Sequence, residues 1–167
     1  MTGRASLLLV LALSLAAAPT LATDDMDSAP LFAVAYTGLD GQPVAAESLR
    51  DGPLFVSFWA RWCEPCRREI PALEHLQHSH PGVRIVAIAL EHDAAAVREF
   101  AQAYGMTYRI VLVGEAGPAL LAALGNEPAG LPFALAIRRD GRIAGRFLGP
   151  MSPSGIEAVI AALAAAD

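Results

Sequence analysis

The chain has 167 residues, with 54% apolar residues, 17% charged residues, a mean hydropathy of +0.43 and a net charge of −5. That length suits one domain, and that apolar content excludes a disordered chain. All 12 basic side chains are Arg, and no basic block is longer than Arg67–Arg68 or Arg138–Arg139, so nucleic-acid binding through phosphates is not expected. Its 2 cysteines, Cys63 and Cys66, are too few for a small fold stapled by disulfides.

Residues 1–22 read as a signal peptide: Arg4 is a short basic start, Leu7–Ala18 is apolar, and Thr20 and Ala22 are small residues before a cleavage point. Ala5 to Thr23 carries no charge, a length close to the roughly 20 residues of a membrane span. An uncleaved N-terminal anchor, acting as a membrane tether, therefore stays open beside cleavage after Ala22. Either way the domain is expected outside the cytoplasm, in a periplasmic setting where disulfides persist. Residues 23–30 read as a polar linker and 31–167 as the domain.

In chain order, Leu31–Tyr36 alternates weakly, and Leu39-Asp40-Gly41-Gln42 adds a turn, which together suggest a short hairpin. Glu47–Arg50 suits one helical turn closed by Asp51-Gly52-Pro53. Leu54–Trp59 is an unbroken apolar and aromatic run, as in a strand buried on both faces. A helix is predicted from Cys63–Pro65 to about His78, stopped by Pro81-Gly82, and Val83–Leu90 is a second buried strand. Asp93 can cap a helix over Ala94–Tyr104 that ends at Gly105. Tyr108–Val113 reads as a strand and Pro118–Leu124 as a short helix ended by Gly125. Phe133–Ile137 and Ile143–Leu148 flank Asp140-Gly141, a hairpin signal. Ser152 and Pro153 open a last helix to about Ala165. The order β-α-β-α-β-α-β-β-α implies an α/β fold, a mixed sheet with helices on both faces.

Cys63-Glu64-Pro65-Cys66 carries the chemistry. Two intervening residues at a helix start bring the sulfurs within bonding distance. The first sulfur is expected beyond the last turn, and the second beneath it. Unused N–H groups and the helix dipole favour a thiolate at Cys63. Pro65 fits because its missing N–H is one the helix end would not use. Zinc is the competing reading of the spacing, but there is no second Cys pair. His75, His78 and His80 lie about 18 Å along the helix at 1.5 Å per residue, too far to complete a site with Cys63; His92 is the other histidine. No metal and no cofactor are expected, since no flavin or nicotinamide fingerprint is present.

Phe58-Trp59-Ala60-Arg61-Trp62-Cys63-Glu64-Pro65-Cys66-Arg67-Arg68-Glu69-Ile70-Pro71 closely resembles the thioredoxin superfamily. With the leader and the Glu-Pro dipeptide, it is most similar to the TlpA-like branch of extracytoplasmic thiol–disulfide oxidoreductases. The resemblance spans roughly residues 31–165. It implies a thioredoxin-like, three-layer α/β/α fold with an N-terminal hairpin and a central insertion near Tyr108–Gly130.

The resemblance also implies roles for residues around the cysteines. Pro132 matches the cis-proline that turns the Leu131 N–H and C=O toward a substrate strand; the next position, usually Thr, is Phe133. Glu69 matches a carboxylate that exchanges protons with the second cysteine; it shares a helix face with Cys66. A covered thiol needs such a base, and Ser57 stands where thioredoxin has an Asp. The Glu64 charge opposes thiolate formation at Cys63, and Glu64 can also pair with Arg68. Trp59 reads as core and Trp62 as a shield and contact for partners. Pro71 is expected to kink the helix. Arg61 reads as a solvated charge.

The activity expected is disulfide reduction by a monomer acting on proteins, with apocytochrome c or other exported proteins as clients and a membrane thiol donor as the source of electrons. A disulfide oxidant or isomerase, and a copper(I) chaperone without turnover, are the rival readings.

Overall fold

The structure is a computed structural model that describes residues 27–166. The expected leader and residues 23–26 of the linker lie outside the described residues. From Asp27 on the chain is already part of the fold rather than a linker. Asp27 bridges Arg142, and the Ser28 N–H and hydroxyl both donate to the Gly141 carbonyl.

The strands are β1 (Tyr36–Gly38), β2 (Pro43–Val44), β3 (Leu54–Trp59), β4 (Arg84–Ala89), β5 (Arg109–Leu112), β6 (Phe133–Ile137) and β7 (Ile143–Leu148). The helices are α1 (Ala29–Phe32), α2 (Glu64–Ser79), α3 (Ala94–Ala103), α4 (Gly117–Ala123) and α5 (Pro153–Ala165). All seven strands form one sheet in the order β2-β1-β5-β4-β3-β6-β7. β3, β4 and β5 are parallel, and β1, β6 and β7 run antiparallel to their neighbours.

This order explains the layers. Two crossovers in the same direction, β3 to β4 and β4 to β5, place α2 and α3 on one face if both are right-handed. The chain then returns past β3 to β6, which puts α4 on the opposite face. Side-chain alternation divides the core accordingly. Phe55, Trp59, Ile85 and Ala87 pack with Leu73 of α2, Val97 of α3 and Ile160 of α5. Val56, Phe58, Ile88 and Leu135 pack with Leu31 of α1 and Leu120 and Leu121 of α4. The fold is thus thioredoxin-like, with helices on both faces of a mixed sheet.

The Leu31–Tyr36 expectation fails at its start. Pro30 suits the first turn of a helix, so Ala29–Phe32 forms α1, and the strand begins only at Tyr36. Leu31 is fully buried, its carbonyl accepts the Tyr36 hydroxyl at 2.7 Å, and Phe32 lies 3.7 Å beneath the Arg50 guanidinium. The hairpin itself is present, closed over 39–42, and joins the sheet through β5. The expected turn at Glu47–Arg50 is a 3-10 turn over Ala46–Leu49.

Leu121 anchors the insertion from α4 and has no exposure. Leu121→Ala is expected to cost about 2–5 kcal/mol, read as a lower urea midpoint at unchanged slope.

Candidate active site

β3 ends at Trp59 and α2 begins at Glu64, so Ala60–Cys63 carries the chain from sheet to helix. Cys63 is the N-cap, with φ −80° and ψ 95°, and its Sγ accepts the Cys66 N–H at 3.3 Å. Cys63 and Cys66 form a disulfide with Cα atoms 5.3 Å apart. Pro65 fills the first turn without removing a needed donor. The first N–H groups of a 16-residue helix, and the positive end of its dipole, therefore face the Cys63 sulfur.

The expected difference in exposure is absent. Cys63 and Cys66 are each 4% exposed, and both belong to the core cluster, with Leu131 and Met151 packed against it. What separates the two sulfurs here is therefore electrostatic. Only Cys63 Sγ receives the helix N–H.

Glu69 is buried on α2, one turn beyond Cys66, and its Oε1 accepts the Met151 N–H at 2.7 Å. Burial raises its carboxyl above the ordinary value of 4.5, and the Met151 bond partly opposes that rise. The Tyr108 phenol, also buried, is raised by burial and by the nearby Glu74 and Glu69 charges. Glu64 is exposed and accepts from Arg68 Nη2 at 2.5 Å; that bond and the Arg68 charge hold its carboxyl below the ordinary range. The expected pairing of Glu64 with Arg68 is thus present.

The Leu131–Pro132 bond is cis, Pro132 is buried, and its carbonyl accepts the Gly149 N–H at 2.9 Å. Asn126, fully buried, grips the preceding residue with both ends of its amide, donating to the Gly130 carbonyl at 2.9 Å and accepting its N–H at 3.1 Å. Sequence reading missed Asn126, because Gly125-Asn126 looks only like a helix ending. Phe133 is core, its ring 5.6 Å from Phe58. Ser57 is buried in mid-β3. Trp62 is 72% exposed, whereas Trp59 is 3% exposed, lies 5.5 Å from Phe100, and has no partner for its Nε1 among the described residues.

Arg61 is not a free surface charge. Glu91 accepts its backbone N–H and its Nε, each at 2.6 Å. The parallel register explains the meeting: Trp59 pairs with Ala89, so two steps beyond the strand ends Arg61 faces Glu91. One half-buried carboxylate thus ties the approach to Cys63 onto the end of β4.

A family model described as Redoxin matches residues 25–160. The chain belongs to the Redoxin family. ResA, a thiol-disulfide oxidoreductase of Bacillus subtilis, is 31% identical to this Redoxin chain over 131 residues, 77% of this chain and 69% of the relative. ResA of Bacillus thuringiensis (strain Al Hakam) is 28% identical over 77% of this chain and 72% of its own. A secreted Mycobacterium tuberculosis disulfide oxidoreductase, homologous to E. coli DsbE, superposes with a TM-score of 0.68 at 25% identity, over 81% of this chain and 98% of that one. These likenesses bear out the resemblance to the TlpA-like thioredoxin branch.

Glu69 gives a pH test within this Redoxin site. Its raised carboxyl means that folding is penalised above the folded-state pKa, and the penalty is relieved as pH falls through it toward 4.5. Relative to Glu69→Gln, the wild type is expected to gain stability in urea unfolding as pH falls from 7 toward 5. Parallel curves for the two proteins would remove the buried-carboxylate account.

Proposed function

We propose that the chain works as an extracytoplasmic protein disulfide reductase. It is a thiol–disulfide oxidoreductase with proteins as its disulfide substrates. The observation that carries the reductive mechanism is the Cys63 sulfur, held at a helix start and facing the Cys66 N–H.

In the reducing direction, the Cys63 thiolate attacks one sulfur of a substrate disulfide, and the other substrate sulfur leaves as a thiolate. Cys66 then gives its proton to Glu69 and attacks Cys63 Sγ, which releases the second substrate thiol. The substrate gains two electrons, and the enzyme ends as the Cys63–Cys66 disulfide. The raised carboxyl of Glu69 narrows the gap to a thiol and so eases that proton transfer. Trp62 and the backbone of Leu131 beside Pro132 hold the substrate chain, and Pro65 keeps the helix start in place.

The ionised Glu64 disfavours a second negative charge at Cys63, which favours the disulfide and suits a reductant. An exported location follows from the apolar leader, and a secreted relative supports it. Apocytochrome c or another exported protein is the client, a membrane thiol donor returns the electrons, and the protein acts as a monomer. The leader is either removed or kept as a tether.

Cys63→Ser is expected to abolish disulfide reduction, and Cys66→Ser to accumulate mixed disulfides with client proteins, seen on non-reducing gels. Trapping by neither variant would overturn these roles. A reduction potential near the strongly oxidising value of about −120 mV would overturn the reductive direction.

A further inference from the structure

A cavity of about 320 Å³ is lined by Trp62, Leu90, His92, Glu115, Pro118 and Ala129. Trp62 is the neighbour of Cys63, so one wall of this cavity is a single residue from the reacting sulfur. Its opposite wall comes from the insertion that begins after β5. The two walls share one brace. Glu91 holds Arg61 through its carboxylate, and its carbonyl accepts the Gly114 N–H at 3.2 Å. The cleft is therefore formed before a substrate arrives.

Its chemistry is mixed in a particular way. Trp62, 72% exposed, offers an aromatic face, and Leu90, Pro118 and Ala129 supply apolar surface. Glu115 is exposed at the start of the 3-10 turn Gly114–Ala116, and it has no ion-pair partner among the described residues. Its neighbours in the site differ, since Glu64 is paired with Arg68 and Glu91 with Arg61. His92 adds a ring nitrogen that accepts a hydrogen bond when neutral.

An apolar stem ending in a cation matches all of these groups at once. Such a stem would lie along Leu90 and Pro118, and its head would meet the Trp62 ring and the Glu115 carboxylate. A purely apolar side chain would cover Glu115 without compensation, and an acidic one would be repelled.

We propose that this cleft is a specificity subsite that takes a Lys or Arg side chain lying within two or three residues of the substrate's reacting cysteine. This inference rests on the reductase reading and adds to it the class of sequence that is preferred.

The test uses the reduced protein and short peptides that carry one cysteine capped as a disulfide with 2-mercaptoethanol, with Lys, Ala or Glu two residues away. The rate of free peptide thiol release is measured for each, with 2-hydroxyethyl disulfide as a small neutral substrate. Wild type is expected to favour the Lys peptide over the Glu peptide by about threefold to tenfold, the scale of an exposed ion pair with an aromatic contact. Glu115→Gln is expected to bring that ratio toward one, and Glu115→Lys to invert it. The ratio is taken within each variant, so changes in folding or overall rate cancel. Turnover of 2-hydroxyethyl disulfide with an unchanged Lys-to-Glu ratio in both variants would overturn the subsite alone. Failure of wild type on every disulfide would overturn the reductase reading and the subsite together.

Discussion

A backbone N–H aimed at one sulfur is the contact on which the rest of the structure depends. The Cys66 N–H points at Cys63 Sγ because Cys63 caps α2, and a helix start has donors with no partner of their own. Placing a thiol at that cap gives the donors an acceptor that can become an anion. The same arrangement leaves Cys66 inside the first turn, within the core and one turn before Glu69. Two chemically identical side chains are made unequal by position alone, since their exposures are equal.

The fold holds this cap in place from several sides. β3 lies between β4 and β6, so the chain turns away from it in two directions, and a crevice opens at its carboxyl end. The cis loop at Leu131–Pro132 enters that crevice, steadied by the buried Asn126 amide. Arg61 and Glu91 close the neighbouring gap between the ends of β3 and β4. Each brace comes from a different stretch of sequence, and the parallel register sets which residues meet. The disulfide thus sits on a rigid platform while Trp62 projects from it.

Much of this was legible in the residues because it is local. The unbroken apolar runs at Leu54–Trp59 and Phe133–Ile137, the caps at Asp93 and Ser152, and the Asp140-Gly141 turn each announce their own element. The start of the domain was misread because weak alternation over Leu31–Tyr36 competes with Pro30, and burial of Leu31 against α4 decides for the helix. The Arg61–Glu91 pair could not be seen without the strand register. Neither could the grip of Asn126 on Gly130, nor the Met151 N–H on Glu69, which spans 82 positions. The equal burial of the two cysteines was also hidden, because the core cluster they join is gathered from residues distant in sequence.

Site-resolved titration of the two thiols in the reduced protein, with alkylation rates at each cysteine followed across pH, shows whether the helix start sets them apart. The account predicts that Cys63 becomes reactive well below the free-thiol value of about 8.5, while Cys66 does so above it. If Cys66 ionised first, or the two titrated alike, the helix start would not be what distinguishes them.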